Sequence, residues 1–124
     1  IITRTARLDA GDFDYQAHIP NAKTVENLPV IVFLHGIRER GTGGFIQKDG
    51  MFATIIKQYL KPIPAIVLLP QCRPAKYWSD PVMDKMVLRA VEQTVAEFSA
   101  DANRIYLVGV SMGGYGAWHF ASQH

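Results

Sequence analysis

The chain has a single cysteine, Cys72, among 124 residues, so no internal disulfide can brace it and its stability has to come from a packed core. No apolar stretch approaches the roughly 18 residues that a bilayer-crossing helix requires, and no charged segment followed by an apolar one opens the chain. The formal net charge is only +2, without a run of like charges, so neither nucleic acid nor a membrane surface is expected as a partner. No partnered His or Glu stands at metal-ligand spacing, and no metal or other cofactor is expected. Internal repeats, low-complexity tracts and linkers are missing too, so residues 1–124 read as part of one domain. What remains is 48% hydrophobic and 19% charged residues, the composition of a globular domain with a real core. Cys72 itself reads as a small buried hydrophobe at a strand end.

Hydrophobic patterning lays out the elements. Ile2 to Leu8 and Phe13 to Ile19 alternate apolar with polar residues around Asp9-Ala10-Gly11-Asp12, which predicts a β-hairpin. Pro20 to Pro29 reads as a surface loop. Val30 to Leu34 and Ala65 to Leu69 are continuous apolar runs, the pattern of strands buried on both faces, and Pro70 is expected to stop the second. Between them Phe52, Ile55, Ile56, Tyr59 and Leu60 fall at helical spacing, predicting a helix over 51–60. Gln71 to Ser79 reads as an irregular loop. Asp80-Pro81 then predicts a helix start, with Asp80 as the cap and Pro81 at the first position, where its missing N–H is harmless. Val82, Met86, Ala90, Val91, Thr94, Val95 and Phe98 would form the buried face of that helix, which ends near Ser99. Helices alternating with apolar strands predict an α/β fold, a mostly parallel sheet with helices on both faces.

One stretch carries chemistry. From Ile105 to Trp118 a β-branched run leads into Gly109-Val110-Ser111-Met112-Gly113 and leaves it with helix-forming residues. The G-x-S-x-G spacing suits a strand-to-helix turn that raises a serine hydroxyl above the sheet, where it can act as a nucleophile. Side chains two residues either side of Ser111 would collide there, and glycine removes them. The amide of Met112, at the helix start, can donate to negative charge developing on a substrate oxygen. Groups in α/β sheets gather beyond the carboxyl ends of the strands, so His35-Gly36 and Ser111 should face one crevice.

Phe33-Leu34-His35-Gly36-Ile37-Arg38-Glu39-Arg40-Gly41, Leu69-Pro70-Gln71-Cys72, Trp78 and Asn103 through Gly116 together resemble an α/β-hydrolase. Within that superfamily they are similar to bacterial carboxylesterases and peptidases related to feruloyl esterases and prolyl oligopeptidases, from about Val30 to His124. The resemblance implies acyl transfer from a small-molecule ester without a cofactor: Ser111 as nucleophile, the amides of Met112 and Ile37 as the oxyanion hole, and His35, Gly36, Gly109 and Gly113 as supporting residues. Two such preorganised amides would each lower the barrier by about 3–4 kcal/mol.

The triad order in that fold is Ser, acid, His, so His35 is expected to organise its loop and the base to follow Ser111. Only residues 112–124 follow it, and His119 and His124 sit on a helix that runs away from the serine. The expectation is therefore a chain corresponding to the first half of such an enzyme, cut after the elbow helix. The apolar edge Ile105–Val110 would then pair with the C-terminal half or with another chain. Tyr77 and Trp78 are candidate pocket residues, with core packing an equal alternative for Trp78. Arg38, Glu39 and Arg40 read as a solvated loop with a local ion pair. Two other functions fit the same residues: a peptidase or thioesterase, and a non-catalytic fragment or interaction module that keeps the fold.

Overall fold

A computed structural model of the chain describes residues 2–20, 26–42, 58 and 63–124. Among these residues five strands, β1 (Ile2–Leu8), β2 (Gly11–His18), β3 (Val30–Leu34), β4 (Ile66–Pro70) and β5 (Ile105–Gly109), form one sheet in the order β1-β2-β4-β3-β5. The longer helices α1 (Pro81–Phe98) and α2 (Met112–Gln123) accompany them among the described residues, with a short 3-10 turn at Ile37–Glu39. The hairpin closes tightly, pairing Leu8 with Gly11. Gly11 has φ +137°, which an L side chain rarely adopts.

The three strands of the βα units run parallel, β4 beside β3 and β3 beside β5. The hairpin joins antiparallel, β1 to β2 and β2 to β4. The sheet is thus mixed: the parallel arrangement expected from the apolar runs holds among β3, β4 and β5, and the hairpin brings two antiparallel pairings, one closed by its own short turn and one with the distant strand β4. Strand β4 lies between neighbours on both sides and is buried throughout, as its unbroken apolar run requires. Pro70, expected to stop it, is its last residue instead and pairs with Tyr15, where the missing N–H removes no interior ladder bond.

Both helices lie on the sheet face that carries Val30, Val32, Leu34, Ile66 and Leu68, and share one core with them. Phe33, Val67 and Leu69 form a second buried cluster, on the opposite face by strand alternation. The helix expected over 51–60 lies outside the described residues, Gln58 apart. Helix α1 starts where the sequence places it: the Asp80 carboxylate accepts from the Val82 amide at 2.9 Å. It ends at Ser99 in the left-handed conformation. Its buried face is rotated from the expected one, with Met83, Met86, Val87, Ala90 and Thr94 innermost and Val82, Val91, Val95 and Phe98 half-buried. A wide apolar stripe left the phase open, and the β1 and β4 surfaces fixed it.

Candidate active site

Strands β3 and β5 are neighbours in register, from Val30 opposite Ile105 to Leu34 opposite Gly109, so they end at the same level. The residues leaving them are therefore brought together. Ser111 caps α2 with φ 55° and ψ −117°, backbone angles that cost a non-glycine residue of order 1–3 kcal/mol. Its surroundings hold it there. A Cβ on Gly109 would meet the Gly113 carbonyl oxygen at 2.0 Å, and one on Gly113 would meet the Leu34 carbonyl oxygen at 1.7 Å. The two glycines let strand, turn and helix close on one another and on the end of β3. A Cβ on Gly36 would lie 3.9 Å from the Ser111 Cβ, so the loop after β3 rests against the serine.

Ser111 is exposed, and its hydroxyl makes no hydrogen bond among the described residues. Around the turn the amides of Val110, Gly113, Gly114 and Tyr115 donate to the carbonyls of Leu34, Val110, Ser111 and Ser111. The Met112 and Ile37 amides have no place among these bonds or the other loop and cap bonds of the described residues. Both residues border a cavity of about 330 Å³ together with Ser111. Tyr77 stands at its rim, 57% exposed. Trp78 backs it from the core at 1% exposed. Ser79, Tyr115 and Gly116 also line the cavity and escaped the sequence reading. Tyr115 was within reach of it, since a residue four beyond Ser111 returns to the same side of a helix.

None of the described histidines bonds to the Ser111 hydroxyl. His35 is fully buried. Its Nε2 accepts from the Cys72 amide at 3.0 Å, so its Nδ1 carries the proton and donates to the Gly36 carbonyl at 2.7 Å. Burial pushes its pKa below 6.5, with the Gly36 carbonyl partly opposing, and the ring is neutral at pH 7. It ties the loop together, as the triad order predicts. His119 and His124 turn to Asp84 on α1, at 3.6 and 3.0 Å. His18 lies on β2 opposite Val67, beyond β4 and β3 from the serine's strand.

The expected ion pair within Arg38–Arg40 does not form among the described residues. Arg40 instead donates to the Ile37 and Lys76 carbonyls at 3.2 and 3.1 Å and lies 5.7 Å from the centre of the Tyr77 ring. Two backbone carbonyls serve the guanidinium as fixed acceptors in place of the Glu39 carboxylate. Cys72 is buried, which raises its thiol pKa to about 11, the inert thiol its position suggested.

Strand β5 is the sheet's edge among the described residues. Its outward residues are uncovered, Tyr106 at 53% and Val108 at 43%. On its other side an apolar hollow of about 640 Å³ lies between α1, α2 and the strand, bordered by Leu88, Val91, Leu107 and Phe120.

No protein-family model matches the chain, and no curated protein sequence matches it. Solved structures do. A thermostable esterase superposes with a TM-score of 0.78 at 30% identity, covering 95% of this chain and 36% of that one. A thermostable esterase from Pseudomonas putida gives 0.65 at 26% identity, over 98% and 37% of the two chains. An acetyl xylan esterase from Aspergillus awamori gives 0.65 at 20% identity, over 98% and 47%. The fold is of the α/β-hydrolase type that these esterase structures share, and the chain spans between about a third and a half of their length.

Proposed function

We propose that these residues belong to a serine hydrolase that cleaves carboxylic esters through an acyl-enzyme on Ser111. The observation that carries this reading is the turn itself: Ser111 stands exposed in a positive-φ conformation, between glycines that admit no Cβ, at the shared end of β3 and β5. Strain of this kind persists where the surroundings over-determine it. The similarity to esterase structures supports ester hydrolysis as the reaction class.

In the proposed reaction the Ser111 oxygen attacks the ester carbonyl carbon and gives its proton to a general base. The carbonyl oxygen becomes an oxyanion held by the Met112 and Ile37 amides, whose hydrogen-bonding capacity is free of the neighbouring loop and cap bonds. Collapse of the intermediate breaks the bond to the alcohol oxygen, which leaves with the proton returned from the base. Water then attacks the acyl group by the same route and frees the serine. Acyl or alcohol groups fit the cavity beside Ser111, between the Tyr77 rim and the Trp78 wall.

A serine hydroxyl near pH 7 needs an adjacent base, and the described histidines are engaged elsewhere. The base and its acid are assigned to polypeptide that pairs with the β5 edge, in the continuation of this chain or in another chain. That edge offers unpaired backbone groups and apolar side chains to an added strand.

The test is hydrolysis of nitrophenyl acyl esters by the assembled enzyme and by its Ser111→Ala variant. A loss of at least about 10³-fold in kcat is expected. Equal rates for the two proteins would refute the role of Ser111. An assembled wild-type protein that binds esters without turning them over would support the interaction-module alternative. A preference for amides or thioesters would redirect the substrate class and leave the mechanism in place.

A further inference from the structure

We infer that Trp78 is a positioning residue of the Ser111 site, a bracket that holds the two halves of the oxyanion hole at a fixed separation. The inference rests on the serine-hydrolase reading above.

Its indole Nε1 donates to the His35 carbonyl at 3.0 Å. His35 lies two residues before Ile37, whose amide is one proposed donor. The same ring lies on Gly116, one helical turn beyond Met112, the other donor. A Cβ on Gly116 would come within 2.6 Å of the Trp78 Cβ and 2.8 Å of its Cγ. One rigid, buried side chain thus touches the loop after β3 with its polar end and the helix after β5 with its apolar face. It further packs against the His35 imidazole, ring centres 5.0 Å apart and tilted by 60°.

The segment that bears Trp78 is fastened to the loop after β3 along its length. The Cys72 amide donates to His35 Nε2 at 3.0 Å, and the Gly41 amide to the Cys72 carbonyl at 2.9 Å. The Gln71 side-chain amide donates to the Glu39 carbonyl at 3.1 Å, and Arg40 spans the Ile37 and Lys76 carbonyls. These bonds set one loop against the other, and Trp78 carries that setting across to α2 from the side of its own segment, beside the close approach of Gly113 to the Leu34 and His35 carbonyls. Oxyanion stabilisation depends on donors fixed before the charge develops, and displacement by about 1 Å can cost as much as 10²-fold in rate. The indole N–H is therefore worth more to the transition state than to substrate binding, although it lies behind the cavity wall.

The experiment compares wild type, Trp78→Phe, and a protein with benzothienylalanine at position 78, in which sulfur replaces the N–H and the ring shape is kept. All are assembled enzymes, with active sites counted by fluorophosphonate titration. The expected result is a fall of about 10-fold in kcat per titrated site, KM nearly unchanged, in both altered proteins. Gly116→Ala, which presses on the ring from α2, should shift the same parameter in the same direction. Should Trp78→Phe fail to fold, the isosteric replacement still decides, because it alters only the donor. Unchanged kcat per site with benzothienylalanine overturns the bracket, as does a change confined to KM. Absence of fluorophosphonate labelling in wild type overturns the serine-hydrolase reading instead and takes the bracket with it, so the two failures are told apart by the wild-type control.

Discussion

The loops that leave β3 and β5 start at the same level of the sheet and are built to opposite ends. After β3, His35 is buried with both ring nitrogens and its carbonyl engaged, by the Gly36 carbonyl, the Cys72 amide and the Trp78 indole. After β5, Ser111 is exposed, holds backbone angles that favour glycine, and has a hydroxyl without a partner among the described residues. One loop uses its polar groups to fix geometry. The other keeps its polar group available for chemistry. The difference teaches that an exposed serine can stand in a strained turn because His35, at the start of the loop beside it, is held by hydrogen bonds at both ring nitrogens and at its carbonyl.

The comparison breaks most severely at the contact between the loops. Gly113→Ala would drive a methyl group into the Leu34 carbonyl, 1.7 Å from its oxygen, and should lower stability by about 3 kcal/mol or more. Denaturant unfolding measures it, and a loss below about 0.5 kcal/mol would mean that the loops can part.

Next in size is the contrast between the two residues themselves. His35→Ala leaves the buried Cys72 amide without its acceptor and opens a cavity, an expected loss of about 2–4 kcal/mol. Ser111→Gly relieves the positive φ of 55° and should raise stability by about 1 kcal/mol while removing the proposed nucleophile. The same melting experiment reads both. A destabilised Ser111→Gly would show that the turn is unstrained.

The smallest effect is the pH dependence. Burial holds the folded His35 pKa below its ordinary 6.5, so on acidification the unfolded chain takes up this proton before the folded one does. Its contribution to stability is complete above pH 6.5 and is lost as pH falls from 6.5 through the folded value. Unfolding free energy measured in that window should fall less steeply in His35→Gln. Equal slopes in the two proteins would show that His35 titrates normally and is open to solvent.

Much of this arrangement was legible in the sequence. The serine turn was readable because its glycines serve close approach, which spacing encodes. The apolar runs of β3 and β4 and the Asp80-Pro81 helix start were readable for local reasons too. The antiparallel seam between β2 and β4 was not, because pairing of distant strands leaves no mark on either run. The rotated face of α1 depended on the surface it met. The roles of Arg40 and Trp78 depended on carbonyls some 36 to 43 residues away, and backbone acceptors have no sequence signature.

The most direct test of the central claim is to treat the assembled enzyme with a fluorophosphonate and locate the adduct by peptide mass spectrometry. Two serines, Ser79 and Ser111, border the same cavity, and the strained turn distinguishes them. The account predicts modification at Ser111 and none at Ser79. Labelling of Ser79, or of neither under conditions where the enzyme hydrolyses esters, would contradict it.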